Sequence, residues 1–123
     1  MSVDEVTLTL PRERGFYRIA GLVLGGLAAR HDVTLERLED VELALDGLLD
    51  RLDGDEPATV RMRVADGELR AVVGPFGGRL RSELERDSGR ELGLRRLLDA
   101  VVDRYELVGG DGGDWIELAK AVE

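Results

Sequence analysis

Ala58-Thr-Val-Arg-Met-Arg-Val-Ala65-Asp66-Gly67-Glu68-Leu69-Arg-Ala-Val-Val73 is the stretch that decides the fold. Val60, Met62 and Val64 alternate with Thr59, Arg61 and Arg63, the two-residue period of a strand with one buried face. Asp66-Gly67 then turns the chain, because a two-residue Asp-Gly turn has the twist that a hairpin needs. Leu69–Val73 is read as the returning strand, and Gly74-Pro75-Phe76-Gly77-Gly78 is expected to end it abruptly. The face that carries threonine and arginine can stay in water, as one side of an antiparallel sheet commonly does.

Upstream of this hairpin lies the strongest helical signal. Leu35, Leu38, Val41, Leu45, Leu48, Leu49 and Leu52 form one apolar stripe, with Glu36, Glu39, Asp40 and Asp46 largely off it. Thr34 is placed to cap this helix, and Asp53-Gly54-Asp55-Glu56-Pro57 closes it. Further back, Val6-Thr-Leu-Thr-Leu10 alternates as a strand and Pro11 ends it. Phe16, Ile19, Val23, Leu24 and Leu27 then recur at helical spacing up to about Arg30. Gly15, Gly21, Gly25 and Gly26 weaken that helix by about 1 kcal/mol each relative to alanine. Close approach of a neighbouring backbone is the expected compensation.

Downstream, residues 79–90 are charged and fit a short helix or a mobile segment equally. From Glu91, Leu94, Leu97, Leu98, Val101 and Val102 are helically spaced. Tyr105–Val108 and Trp115–Ala119 read as a second hairpin, joined by Gly109-Gly110-Asp111-Gly112-Gly113-Asp114. The order is β-α-α-β-β-α-β-β. It predicts an α+β two-layer sandwich: a mixed, mostly antiparallel sheet with helices on one face.

The 123 residues are the size of a single domain, read as 1–123 without an internal linker. With no cysteine, disulfides, thiolate metal sites and cysteine nucleophiles are excluded. A net charge of −9 repels phosphate backbones, which argues against direct nucleic-acid binding. Ile19–Ala29 is the longest strongly apolar run; interrupted by three glycines, it is too short to span a bilayer. A cytoplasmic protein without membrane contact is therefore expected.

Signals for catalysis are few. His31 follows a helix end, where a cation is favoured by the dipole; a surface cap is the simpler role, a general base the sharper one. Gly109–Asp114 has the Gly-Gly-x-Gly-x-Asp pattern of calcium-binding β-helix repeats, but a single copy between strands reads as a turn. Pro75-Phe76-Gly77-Gly78 fits a strand-ending turn better than an anion loop. Asp46 and Asp50, one helical turn apart, supply too few ligands for a hard cation.

Three phrases together carry a family resemblance. They are Val6-Thr-Leu-Thr-Leu-Pro11 with its arginine-containing helix ending in Leu27-Ala-Ala-Arg30, Leu38-Glu-Asp-Val-Glu-Leu-Ala-Leu-Asp46, and Glu91-Leu-Gly-Leu-Arg-Arg-Leu-Leu98. From Val6 to about Ala121 the chain resembles the anti-sigma-factor serine kinases of bacterial partner-switching systems. Those kinases have the histidine-kinase-like ATPase fold, shared with gyrase, the histidine kinases and mismatch-repair ATPases. The resemblance implies a glutamate base and, one turn later, a magnesium-binding asparagine on the second helix. Those positions here are Gly47 and Arg51. Glycine has no side chain to act as a base, and arginine repels a metal ion. A register shifted by one residue would offer Asp46 and Asp50 instead, but would turn both by about 100° and break the leucine stripe.

The family's adenine-binding Asp-x-Gly-x-Gly falls on Pro75-Phe76-Gly77, and proline offers adenine no acceptor side chain. Gly89 and Gly93 are what is left of the glycines expected around the ATP lid. The resulting expectation is a degenerate member: an anti-sigma-like regulatory domain in transcription control, a pseudokinase with no catalytic residue, metal or cofactor. Its partner would be a sigma factor or an anti-sigma-factor antagonist. The resemblance also implies a homodimer contact through the first strand and helix, which makes Gly15, Gly21, Gly25 and Gly26 a candidate interface. Two alternatives stand beside it. One is a diverged serine kinase that still binds ATP, with Mg²⁺, through backbone amides and Gly77 and Gly93. The other is a structural domain of a larger assembly.

Overall fold

The computed structural model describes residues 4–86 and 93–122. Its elements are β1 (Asp4–Leu10), α1 (Arg14–Arg30), α2 (Leu35–Leu49), β2 (Ala58–Ala65), β3 (Glu68–Phe76), α3 (Gly78–Glu85), α4 (Leu94–Val101), β4 (Arg104–Gly110) and β5 (Gly113–Ala121). The five strands form one sheet in the order β1-β2-β3-β5-β4.

The Asp66-Gly67 turn closes the β2–β3 hairpin as expected, with positive φ at both residues (55° and 74°). That is the left-handed pair a two-residue hairpin turn demands. Every bonded strand pair is antiparallel, so the sheet is not mixed as the sequence suggested. The register gives the reason. Leu10 at the end of β1 faces Ala58 at the start of β2, so the two intervening helices return the chain to the end of the sheet that it left. β4 takes the outer edge and leaves β5 to pair with β3.

All helices contribute to one face. Val60, Met62, Leu69, Ala71, Val73, Ile116 and Leu118 point from the sheet into a single core with Leu24 and Leu27 of α1, Val41, Leu45 and Leu48 of α2, Leu80 of α3, and Leu94 and Leu98 of α4. Thr34 caps α2 as expected, its hydroxyl accepting from the Arg37 amide at 3.3 Å. The charged stretch resolves in its first part as helix, α3, held by the buried Leu80 and half-buried Leu84. Residues 87–92, including Gly89 and the start of the Glu91–Leu98 phrase, lie outside the described residues.

Three expectations need correction. Phe16 and Ile19 are each 39% exposed, because α1 buries Ala20, Leu24, Leu27 and Ala28 instead. Leu35, read as part of the α2 stripe, is exposed at the helix start. β3 runs past Gly74-Pro75 to Phe76, with its register against β5 shifting between Val73 and Phe76. A proline inside a central strand is tolerated at such an irregularity, since no ladder amide is required there.

Gly74 has a packing reason as well. A Cβ there would lie 2.6 Å from the Trp115 ring, which covers the open face of the sheet and donates through Nε1 to the Asp111 carbonyl at 3.0 Å. On the same face, Glu68 accepts from Arg104 at 2.6 Å and from Arg70 at 3.0 Å. Burial works to raise its pKa, but the two guanidinium hydrogen bonds outweigh this and hold it below the usual carboxylate range. Among the described residues no helix is long and apolar enough to cross a membrane.

Candidate functional site

The positions singled out in the sequence fall in two groups, Gly47, Arg51 and Gly93 between α2 and the start of α4, and Pro75 and Gly77 at the end of β3. Gly47 is buried on the side of α2 that meets α4; a Cβ there would lie 2.8 Å from Leu97 Cδ2 and 3.7 Å from Leu94 Cδ1. Arg51, one turn on, reaches the same side. Its Nη1 donates to the Gly47 carbonyl at 2.8 Å, and its Nε donates to both Glu83 carboxylate oxygens at 2.9 Å. Asp46 and Asp50 face away, towards α1, where Arg14 pairs with Asp50 at 3.1 Å. Gly47 and Arg51 thus lie on the side of α2 that meets α4, and Asp46 and Asp50 do not. Asp46 is raised above its usual pKa, first by partial burial and then by the neighbouring Asp50.

α4 begins at Leu94 with Gly93 as its N-cap, and glycine has no side chain to cap with. Glu83 of α3 supplies the missing acceptor: its Oε2 takes the Leu94 amide proton at 3.1 Å. A carboxylate there is favoured twice, by the unpaired amides of the first turn and by the positive end of the helix dipole. Arg51 and Glu83 are each only about one-fifth exposed, with side-chain accessibilities of 21% and 22%. The pair is thus partly desolvated and worth more than a surface ion pair.

A second carboxylate repeats this arrangement at the end of β3. Asp53 Oδ1 accepts from the Gly77 amide at 2.7 Å, and a Cβ on Gly77 would lie 2.5 Å from Asp53 Oδ2. Pro75 is buried, and its carbonyl accepts from Arg12 Nη2 at 2.8 Å. Arg12 also donates to the carbonyls of Asp53, at 2.8 Å, and Glu56, so one guanidinium ties β1's exit to the α2–β2 loop and to β3. Phe76 is fully packed in the core.

Among the described residues, the donors at these positions do not suit a magnesium nucleotide. The amide of Gly77 and that of Leu94, next to Gly93, already carry the chain's own carboxylates. A phosphate would meet Glu83 and Asp53 as like charges. Leu94 and Leu97 fill the space beside Gly47, and a cation would meet the Arg51 guanidinium. Among the described residues no group of three metal-ligating side chains assembles. Restoring the glutamate with Gly47→Glu should therefore not create an ATPase. It should lower stability by about 2 kcal/mol, by overpacking against Leu97 and burying a carboxylate, as read from the urea midpoint.

The other residues fall elsewhere. His31 is half-buried, its Nε2 2.7 Å from Asp4 Oδ2, and Arg30 reaches the same carboxylate at 3.1 Å; the histidine ties the end of α1 to β1. The Gly109–Asp114 segment spans the β4–β5 turn, with Asp111-Gly112 at its tip and Asp114 paired to Arg81 at 3.0 Å. Of the glycines on α1, Gly21 turns towards Glu42 of α2, whereas a Cβ at Gly15, Gly25 or Gly26 would meet nothing within 4 Å. The close approach expected of those three is not made within this chain. Glu83, Asp53 and Arg12 carried no signal in the sequence, for each acts on a partner 11 to 63 positions away.

No family model matches the chain, and no curated protein matches it in sequence. A solved structure does match: the crystal structure of the RsbU and RsbW domains of Rv1364c from Mycobacterium tuberculosis, with a TM-score of 0.73 at 19% identity over 97% of this chain. The match takes in 32% of that longer chain, so this protein spans about a third of its length. At that identity the likeness carries the fold alone: the chain has the RsbW-like α+β fold that the three phrases of the resemblance imply.

Proposed function

We propose that the protein is a regulatory protein–protein interaction domain of a partner-switching system, an anti-sigma-like module that neither transfers phosphate nor needs nucleotide. The observation that carries this is the occupation of the Gly77 and Leu94 amides by Asp53 and Glu83 in a fold otherwise shared with an RsbW-containing protein. The partner is a sigma factor or the antagonist that displaces one. A purified panel of the host's sigma factors and antagonists, tested by calorimetry with and without Mg-ATP, decides the matter. One partner binding equally under both conditions is the expected result. Binding to none, or phosphate transfer to a serine of any, overturns it.

The outer face of α1 supports self-association as part of the same reading. Phe16, Ile19 and Leu22 are exposed there, Leu22 at 76%. By helical geometry Gly15 and Gly26 lie on that face within about 20° of each other. Glycines with open space in a helix cost stability unless another surface comes close. Replacing Gly25 and Gly26 by leucine should lower the dimer fraction at least tenfold by light scattering. An unchanged dimer, or a wild-type monomer, removes the interface.

A further inference from the structure

We infer that Glu83 is a built-in anion that takes the place of a bound phosphate, and that it locks α3 and α4 against α2 with no nucleotide present. The inference rests on the regulatory reading above and deepens it: the grip on a partner is constitutive, and release comes from a competing protein rather than from nucleotide turnover.

Three observations converge on this residue. Glu83 lies in the last turn of α3, yet its carboxylate contacts two other parts of the chain, Arg51 just after α2 and the first amide of α4. The Arg51 fork meets it through Nε while Nη1 is held on the Gly47 carbonyl, so the guanidinium is pinned on both sides. Gly93 leaves α4 without a cap of its own, which makes the start of that helix dependent on an external acceptor. A helix start and an arginine together make the chemistry of a phosphate or carboxylate site. Here the ligand is part of the chain. Because it is covalently attached, its effective concentration is fixed and high, and no free anion at cellular levels competes well with it.

The test is removal and chemical rescue in the full chain. Glu83→Ala should lower Tm by several degrees, and inorganic phosphate at constant ionic strength should restore most of the loss. Arg51→Met/Glu83→Ala should lose that rescue, because the guanidinium that would hold the phosphate is gone. Wild-type Tm should move by no more than about 1 °C with phosphate or Mg-ATP, as for a protein with no vacant site. Should Glu83→Ala not fold, Glu83→Gln keeps the acceptor for Leu94 but loses the charge, and should show a smaller loss with partial rescue. Equal Tm in wild type and both Glu83 variants overturns the inference, as does equal phosphate stabilisation of all forms. Saturable stabilisation of the wild type by Mg-ATP also overturns it, while leaving a nucleotide-gated grip on the partner possible. Failure to bind any sigma factor or antagonist would sink the regulatory reading without touching the Glu83 result.

Discussion

Phe76→Ala is expected to lower the unfolding free energy by about 3–5 kcal/mol, a large share of the 5–15 kcal/mol that holds a typical domain. Phe76 is 1% exposed and is the largest fully buried side chain among the described residues. It ends β3 just beyond the register shift and joins the core cluster that also holds Leu80 and Ile116. Truncation leaves a cavity that the surrounding core closes only in part. Phe16→Ala is the matched control: at 39% exposure it should cost less than about 1 kcal/mol. Urea denaturation of the two variants gives the comparison directly, since a shift in midpoint at constant m reports stability alone. A similar loss in both would mean that Phe16 is buried in solution, and the outer face of α1 would then be covered.

Arg12→Ala should cost about 2–3 kcal/mol, an unusual loss for a residue in a loop. Its guanidinium satisfies the carbonyls of Asp53, Glu56 and Pro75, and removal leaves several acceptors without a donor at once. Arg12→Lys should recover little, because an ammonium is a point donor and cannot span three separated carbonyls. The loss should be local as well as global. Faster amide exchange in residues 51–56 and at Gly77 would identify the loop as the part set free. A stability loss with unchanged exchange there would place the role of Arg12 elsewhere.

These two residues also mark where reading the sequence works and where it stops. The hairpin at Asp66-Gly67 and the leucine stripe of α2 were legible because their signals are local: a turn that needs positive φ, and a period of 3.6. The same stripe put Gly47 on the buried side of α2. Phe16 and Ile19 misled because α1 buries alanines, and small residues leave a faint signature against larger ones on the opposite face. Pro75 was read as the end of a strand because proline blocks ladder bonding; the irregularity that excuses it is a property of β5's register. Glu83, Asp53 and Arg12 lie in segments without periodicity. Their roles arise when distant amides and carbonyls are brought within 3 Å, and an isolated acidic or basic letter says nothing of that.

The strand order has a kinetic meaning. β2–β3 and β4–β5 are closed by two-residue turns, so each pair forms from neighbouring chain on a timescale of about 1–10 μs. Joining them through β3 and β5 requires a longer loop to close, and β1 must find β2 across both long helices. β1 is thus joined to the sheet across the whole of α1 and α2, and it is held there by a single neighbouring strand.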